Sequence, residues 1–191
     1  MRATIMAMTT VTVITITAMT TIMMITDIIM PTTDTKTDFR ETGMTALDPK
    51  TERRCRDSFA RQQAMTTIGA SVLSVAPGAV ELAMPFSDKL TQQHGFIHAG
   101  IVTMLCDTAC GFAALSLMPE NAAVLTTEFK VNLLSPARGE RFIAHGRVVR
   151  PGKKLIVCLG EVFAEEAGKR KQVALMTASM MVMDTASGLR D

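Results

Sequence analysis

A single carboxylate, Asp107, lies within a long apolar segment and is the first candidate for chemistry. The segment runs from 92 to 118, carries few polar groups after Gly100, and is ended by Pro119. Its apolar residues cover every side of a helix, which predicts a helix that is buried all round. A carboxylate on a buried helix is unfavourable unless it has a partner or a function. Asp107 is therefore a candidate general base or nucleophile, and the alternative is a structural carboxylate bonded to hydroxyl or backbone groups.

The start of the same helix offers hydrogen-bond donors for an oxyanion. A stripe of small or polar residues follows one side of the helix: Gly100, Thr103, Asp107 and Gly111. The first backbone N–H groups of a helix have no intrahelical acceptor and carry partial positive charge, so the N–H of Ala99 or Gly100 could hold an oxyanion. His98 and Asp107 are separated by roughly 13 Å along a helix. We therefore expect a homodimer in which Asp107 of one subunit faces the helix start of the other.

Several motifs resemble a known enzyme family. The residues concerned are Gly95, His98, Ala99, Gly100, Leu105, Asp107 and Ala109. Together they resemble the signature of hotdog-fold acyl-CoA thioesterases of the phenylacetate-degradation (PaaI-like) type, which usually have His-Gly-Gly where this chain has His98-Ala99-Gly100. Segments 126–132, 135–137 and 148–153 resemble the strands and turns that follow the helix in that family. The resemblance covers roughly residues 65–183.

The resemblance implies a reaction and a set of site residues. The expected reaction is hydrolysis of aromatic or medium-chain acyl-CoA thioesters to free acid and CoA, with no metal and no further cofactor, in a homodimer or a dimer of dimers. Gln92 stands where relatives often carry Asn, and would orient the water or the thioester. His98 is interpreted as a brace of the helix start, with a general base as the alternative. Thr126 matches a hydroxyl position, but strand alternation places it on the face away from its own helix, so that it could act only across the dimer interface.

Four basic residues flank turns that follow the third strand: Arg138, Arg150, Lys153 and Lys154. Exposed cations at the mouth of a cleft suit the phosphates of CoA. The alternative is that these residues are ordinary solvated charges of hairpins. His94 and His145 are interpreted as surface or loop histidines.

The order of predicted elements indicates an α+β protein. A short helix over 51–65, capped by Thr51, precedes two strands at 68–76 and 79–85 that are joined at Pro77-Gly78. The long helix follows, and then four strands at 124–134, 141–150, 154–164 and 173–183. About six antiparallel strands wrapped round one long central helix would bury that helix on all sides. This is the hotdog architecture that the resemblance also implies.

Composition argues against several function classes. The chain has 191 residues and a net charge of +2, and it contains no Trp or Tyr. Nothing in it favours a nucleic-acid partner. Its four cysteines form no CxxC pair and no metal pattern, and are expected to be buried free thiols in a reducing compartment, which favours the cytoplasm.

The first 43 residues differ in composition from the rest of the chain. Met, Thr and Ile dominate the first 30 residues, but Asp27 interrupts them and no basic cluster flanks them, so a membrane span is not favoured. We expect residues 1–43 to lie outside the fold and residues 44–191 to form the hotdog domain.

Three alternative functions remain open: a non-catalytic module that binds acyl-CoA, a hotdog hydratase or dehydratase, and a protein anchored to a membrane by residues 1–30. The acid Asp107 on its small-residue stripe favours catalysis over the binding module. The sequence has no Asp-x4-His arrangement of the kind expected for a hydratase or dehydratase, and the composition of residues 1–30 disfavours the membrane anchor.

Overall fold

The computed structural model describes residues 47–184, which form α-helices and one antiparallel sheet. The helices are α1 (Pro49–Ala60), α2 (Gln63–Thr67) and α3 (Ala99–Leu115), with a 3₁₀ turn at Asp88–Leu90. The strands are β1 (Ser71–Ala76), β2 (Ala79–Pro85), β3 (Ala122–Leu133), β4 (Arg141–Arg150), β5 (Leu155–Glu166) and β6 (Lys169–Asp184). The expectation that residues 1–43 lie outside the fold concerns a segment beyond the described residues. Within 47–184, no helix is long and apolar enough to cross a membrane.

The six strands form one sheet in the order β1-β2-β4-β5-β6-β3, and every neighbouring pair is antiparallel. Helix α3 packs on one face of this sheet and contacts β2, β3, β4, β5 and β6. Its side chains from Leu105, Cys106, Ala109, Cys110 and Ala113 are fully buried. The predicted hotdog fold, a six-stranded antiparallel sheet round one long helix, is confirmed.

Two glycines on adjacent strands allow the middle of α3 to pack closely against the sheet. Gly146 and Gly160 pair directly across β4 and β5. A Cβ atom on Gly146 would lie 2.2 Å from the carbonyl carbon of Ala109, and one on Gly160 would lie 2.5 Å from the Sγ of Cys106. The helix backbone therefore approaches the sheet more closely than any side chain at these positions would permit. This contact fixes which side of α3 faces the sheet and leaves Asp107 on another side.

The N-terminal helix differs from its prediction. Residues 51–65 do not form one helix, because α1 ends at Ala60 and α2 is a separate single turn. Pro49 lies in the first turn of α1 and Asp48, not Thr51, is the N-cap residue. Arg54 donates to the carbonyls of Met118 and Pro119 at 3.3 and 2.9 Å, so α1 covers the end of α3.

An irregularity in β3 changes which side chains face the helix. Thr126 pairs with Met180 and Glu128 with Ser179, so the intervening Thr127 is a bulge residue without its own partner in the register. A bulge inverts the alternation of side chains along a strand. Strand alternation in the sequence predicts that one face carries Leu125, Thr127, Phe129, Val131 and Leu133 and that Thr126 lies on the other face. This is confirmed after the bulge, where Phe129, Val131 and Leu133 pair with the buried residues Ala178, Met176 and Ala174. It is wrong before the bulge, where Val124 and Thr126 face the helix and Leu125 faces outward.

Candidate active site

Asp107 lies near the middle of α3 and is partly buried. The hydroxyl of Thr126 on β3 donates a hydrogen bond to its Oδ1 at 2.9 Å. Burial raises the pKa of Asp107 above its usual value, and the hydrogen bond from Thr126 acts in the opposite direction. The carboxylate is thus oriented by the Thr126 hydroxyl, its one side-chain donor among residues 47–184, and is partly withdrawn from solvent. Both properties favour a base that acts on water.

The contact between Thr126 and Asp107 corrects the sequence interpretation. Thr126 was expected to face away from its own helix, and instead it reaches the carboxylate of the same chain because of the bulge at Thr127. The Oγ1 of Thr126 also lies 3.3 Å from the Sδ of Met180, a side chain with no solvent exposure. The hydroxyl is therefore packed on one side and directed at Asp107 on the other.

The start of α3 distinguishes between the two candidate donors of the oxyanion site. His98 is the N-cap residue, and its Nδ1 accepts the N–H of Gly100 at 2.9 Å. Its carbonyl accepts from Ile101 and Val102 at 2.9 and 3.2 Å. The structure records no acceptor for the N–H of Ala99 among residues 47–184. Of the two predicted donors, Ala99 is therefore the one whose N–H has no acceptor in this part of the chain. His98 caps the start of α3, which is the position expected of a residue that braces the helix start.

Gln92 takes part in the loop that precedes the helix. Its Oε1 accepts the backbone N–H of His94, its own N–H donates to Phe96 at 2.8 Å, and its carbonyl accepts from Gly95 at 3.0 Å. Gly95 has a φ of 79°, which glycine adopts readily at such a turn. These bonds assign the amide oxygen of Gln92 to the turn, and none of its recorded bonds reaches Asp107.

One chain does not bring the carboxylate and the available donor together. Ala99 and Asp107 are eight residues apart on a continuous helix, which separates them by roughly 12 Å. A reacting carbonyl needs both groups within hydrogen-bond reach or one water away. A complete site of this kind therefore requires groups from a second chain.

The four predicted phosphate-binding residues do not form one cluster within the chain. Arg138 follows Ala137, whose carbonyl accepts the N–H of Ile97 at 3.0 Å, so it lies near the start of α3. Arg150, Lys153 and Lys154 lie at or beside the turn between β4 and β5, near the end of the same helix. All four residues are exposed.

A groove of about 470 Å³ lies near the end of α3. Its apolar lining is formed by Leu117, Met118, Pro119, Pro151, Ile156 and Val182. Lys153 is the charged residue in that lining. The groove does not include Asp107, so the carboxylate and this apolar depression occupy separate positions on the chain.

His145 was interpreted as a surface or loop histidine, and that interpretation is wrong. It lies within β4, its side chain is 13% exposed, and its Nε2 is 3.5 Å from an oxygen of Glu81 on the neighbouring strand. Burial lowers the pKa of His145, while Glu81 acts in the opposite direction. Because its neighbours Ala144 and Gly146 face the helix, His145 lies on the far face of the sheet and is not part of the Asp107 site.

Comparison with known proteins identifies the family. The sequence model of the thioesterase superfamily matches residues 94–171. A thioesterase family protein from Silicibacter pomeroyi has a solved structure that is 52% identical, with a TM-score of 0.69; the match covers 70% of this chain and 98% of that one. The PaaI protein of E. coli, from the phenylacetic acid degradation operon, is 20% identical with a TM-score of 0.65 over 71% of this chain and 95% of that one, and this likeness shows the fold alone.

A curated relative from Halobacterium salinarum carries the name "putative esterase". It is 39% identical over 93 residues, which make up 46% of this chain and 61% of the relative. The chain thus spans less than two thirds of the length of that relative. The match to the solved Silicibacter pomeroyi structure covers nearly all of that protein at 52% identity. The chain therefore belongs to the thioesterase superfamily.

Proposed function

We propose that this protein hydrolyses acyl-CoA thioesters of aromatic or medium-chain acids to the free acid and CoA. The observation that carries the proposal is the partly buried carboxylate of Asp107, oriented by Thr126 at 2.9 Å in a chain of the thioesterase superfamily. Membership supports thioester hydrolysis as the reaction class, and the phosphates of CoA would bind an exposed cation such as Arg138, near the start of α3. The same carboxylate would have no evident role in a non-catalytic acyl-binding module.

In the proposed reaction, Asp107 accepts a proton from a water molecule as the water oxygen attacks the thioester carbonyl. The alternative is direct attack by the carboxylate, which would form an anhydride that water then hydrolyses. In either case the carbonyl oxygen becomes an oxyanion, and the N–H of Ala99 of the partner subunit stabilises it. Collapse of the tetrahedral intermediate breaks the carbon–sulfur bond and releases CoA as a thiolate, which takes a proton back from Asp107 after attack by water, or from solvent after direct attack by the carboxylate.

The proposed dimer has support from the edge strand as well as from the helix. β3 is the terminal strand of the sheet, and an unpaired strand edge is a natural place for a second chain to add. On its helix side, Phe129 and Leu133 are 45% and 55% exposed, although they pair with the buried residues Ala178 and Ala174. A second copy placed against this edge would cover both side chains and bring its own helix start toward Asp107.

Subunit complementation tests the residues and the shared site together. Asp107→Asn removes the base but keeps an oxygen for the Thr126 hydroxyl, and we expect thiol release from acyl-CoA to fall by about 100-fold or more. Ala99→Pro removes the N–H at the first helical position, where proline is well tolerated. His98, with φ −60° and ψ 137°, already has the extended conformation that a following proline requires. We expect a comparable loss in Ala99→Pro and none in Ala99→Gly, which keeps the N–H.

Mixing the two inactive variants after unfolding and refolding is the decisive step. If each site uses Asp107 of one subunit and Ala99 of the other, a mixed dimer contains one intact site and one doubly altered site. An equal mixture should then recover about a quarter of the wild-type activity. Asp57→Asn, a change of an exposed carboxylate on α1, is the matched control and should remain fully active. Normal turnover in Asp107→Asn would refute the mechanism, and no recovery in the mixture would refute the shared site.

A further inference from the structure

The apolar groove near the end of α3 lies close to the Asp107 site, as the positions of residues along strand β3 show. Thr126, which contacts Asp107, is two residues from Val124, or roughly 7 Å along a strand. Val124 pairs with Val182 of β6, and Val182 lines the groove. Both valines pack against the core on the helix side. The wall of the groove therefore begins one cross-strand pair beyond the contact between Thr126 and Asp107.

On the helix, the space between Asp107 and the groove is left open by a glycine. Gly111 follows Asp107 by one helical turn and lies on the same side of α3. It is buried, yet a Cβ atom built on it would have no atom within 4 Å. The helix then ends at Leu115, and Leu117 and Met118 form part of the groove. The open space at Gly111 therefore lies on the side of α3 that carries Asp107, between that carboxylate and the helix end that contributes to the groove.

We propose that the gap at Gly111 and the groove lined by Met118, Ile156 and Val182 form the subsite for the distal part of a straight aliphatic acyl chain. This inference rests on the proposed function and narrows its substrate class to acyl chains long enough to extend from Asp107 past the end of α3. That distance is roughly 12 Å along the helix, from Asp107 to Leu115.

The chemistry of the lining favours an aliphatic chain over the nucleotide of CoA. Six of the lining residues are apolar, and they offer no aromatic ring on which an adenine could stack. Lys153 is exposed, and its charged end can remain in water while its methylene stem adds to the apolar wall. An alkyl chain needs no directed polar partner, and its removal from water is favourable in proportion to the area that is buried.

The test fills the subsite and measures how activity depends on chain length. Val182→Phe adds bulk to the wall of the groove, and Gly111→Val fills the gap beside Asp107. Met181→Phe is the matched control, because Met181 adjoins Val182 on the same strand but faces outward and is 39% exposed. Thiol release is measured for saturated acyl-CoAs from butyryl to palmitoyl with wild type and all three variants, and thermal unfolding verifies that each variant is folded.

We expect Val182→Phe to lower kcat/KM for the longest chains by about tenfold or more while butyryl-CoA changes by less than about twofold, as for an obstructed apolar pocket. Gly111→Val fills space closer to Asp107, so its loss should begin at shorter chains and should still grow with chain length. Met181→Phe should retain the wild-type profile. An unchanged profile in both groove variants would overturn the inference. So would an equal loss at every chain length, which would assign the groove to CoA if acyl-pantetheine thioesters were spared.

A binding measurement separates this inference from the proposed function. cis-Parinaric acid, a fluorescent fatty acid, is titrated into wild type, Val182→Phe and Met181→Phe without any hydrolysis. Saturable binding that is weakened by about tenfold in Val182→Phe alone supports the subsite even if no thioester is turned over. Equal binding by wild type and Val182→Phe refutes the subsite even if the protein is an active thioesterase.

Discussion

Glycines on the two sides of the central helix serve opposite purposes. On the sheet side, Gly146 and Gly160 have atoms of α3 so close that a Cβ would lie 2.2 and 2.5 Å from its nearest neighbours. On the other side, Gly111 of the helix itself has no neighbour within 4 Å of the position that its Cβ would take. The same residue type therefore permits close contact on one side of α3 and leaves space on the other. The presence of a glycine in the sequence therefore does not show whether its position is crowded or open.

The difference explains how one helix can both form the core and carry the partly buried carboxylate of Asp107. Close contact at Gly146 and Gly160 fixes the rotation of α3 about its axis, because a shift of the helix would meet rigid sheet backbone. With that rotation fixed, Asp107 is directed toward β3, where Thr126 orients it. In the proposed reaction, the substrate would enter on the open side and would not disturb the packing that holds the carboxylate in place.

The largest expected effect is a loss of stability, and it comes from adding a methyl group at Gly146, where the sheet contacts α3 closely. Gly146→Ala would place a methyl group against the backbone of Ala109 and Cys110, which cannot rotate away, so we expect a loss of about 3 kcal/mol or more in the free energy of unfolding, or failure to fold. Gly160→Ala meets the Sγ atoms of Cys106 and Cys110 instead, and thiol side chains can shift. Its loss should be smaller, and adding Cys106→Ala should recover part of it. Urea unfolding measures both, and equal stability of Gly146→Ala and wild type would contradict the contact.

An effect of intermediate size is expected on the pH dependence of activity when the hydroxyl that bonds Asp107 is removed. Burial raises the pKa of Asp107 and the hydroxyl of Thr126 opposes that shift. Thr126→Val removes the hydroxyl, so the pKa should rise further and more of the carboxyl should be protonated at any given mildly acidic pH. Because the proposed base must be ionised, the acidic limb of the kcat/KM profile should move to higher pH.

The matched control is Thr127→Val, since Thr127 is the bulge residue and its hydroxyl bonds the carbonyl of Ser179 instead. Its acidic limb should stay at the wild-type position. A limb that moved to lower pH in Thr126→Val, or that moved equally in both variants, would show that the hydroxyl of Thr126 does not stabilise the ionised form of Asp107.

The sequence was sufficient to predict the sheet and its helix because both depend on the distribution of apolar residues. The all-round apolarity of segment 92–118 requires a covering sheet, and the turn-separated strands supply one. Asp107 was recognisable as the single acid within that apolar context. Both properties are local patterns of residue type, and they do not depend on small details of backbone geometry.

Other features of the site depend on such details and could not be predicted. The orientation of Thr126 was inverted because one extra residue in β3 shifts the alternation, and Thr-Thr in a strand gives no sign of a bulge. The choice of Ala99 over Gly100 as the available donor depends on the side-chain orientation of His98. The division of the basic residues between the two ends of α3 depends on strand order, which places β4 and β5 beside each other and β3 at the far edge.

The smallest expected effect is a gain in stability, and it comes from a substitution of Gly111 on the open side of α3. Gly111→Ala puts a methyl group into space with no atom within 4 Å, and alanine is favoured over glycine inside a helix by about 1 kcal/mol. We therefore expect urea unfolding to show equal or greater stability. Gly95→Ala is the control, because its Cβ also meets open space but its φ of 79° disfavours alanine, so stability should fall. A loss in Gly111→Ala as large as that in Gly146→Ala would mean that the space beside Asp107 is already filled in the assembled protein, and that no acyl chain can enter there.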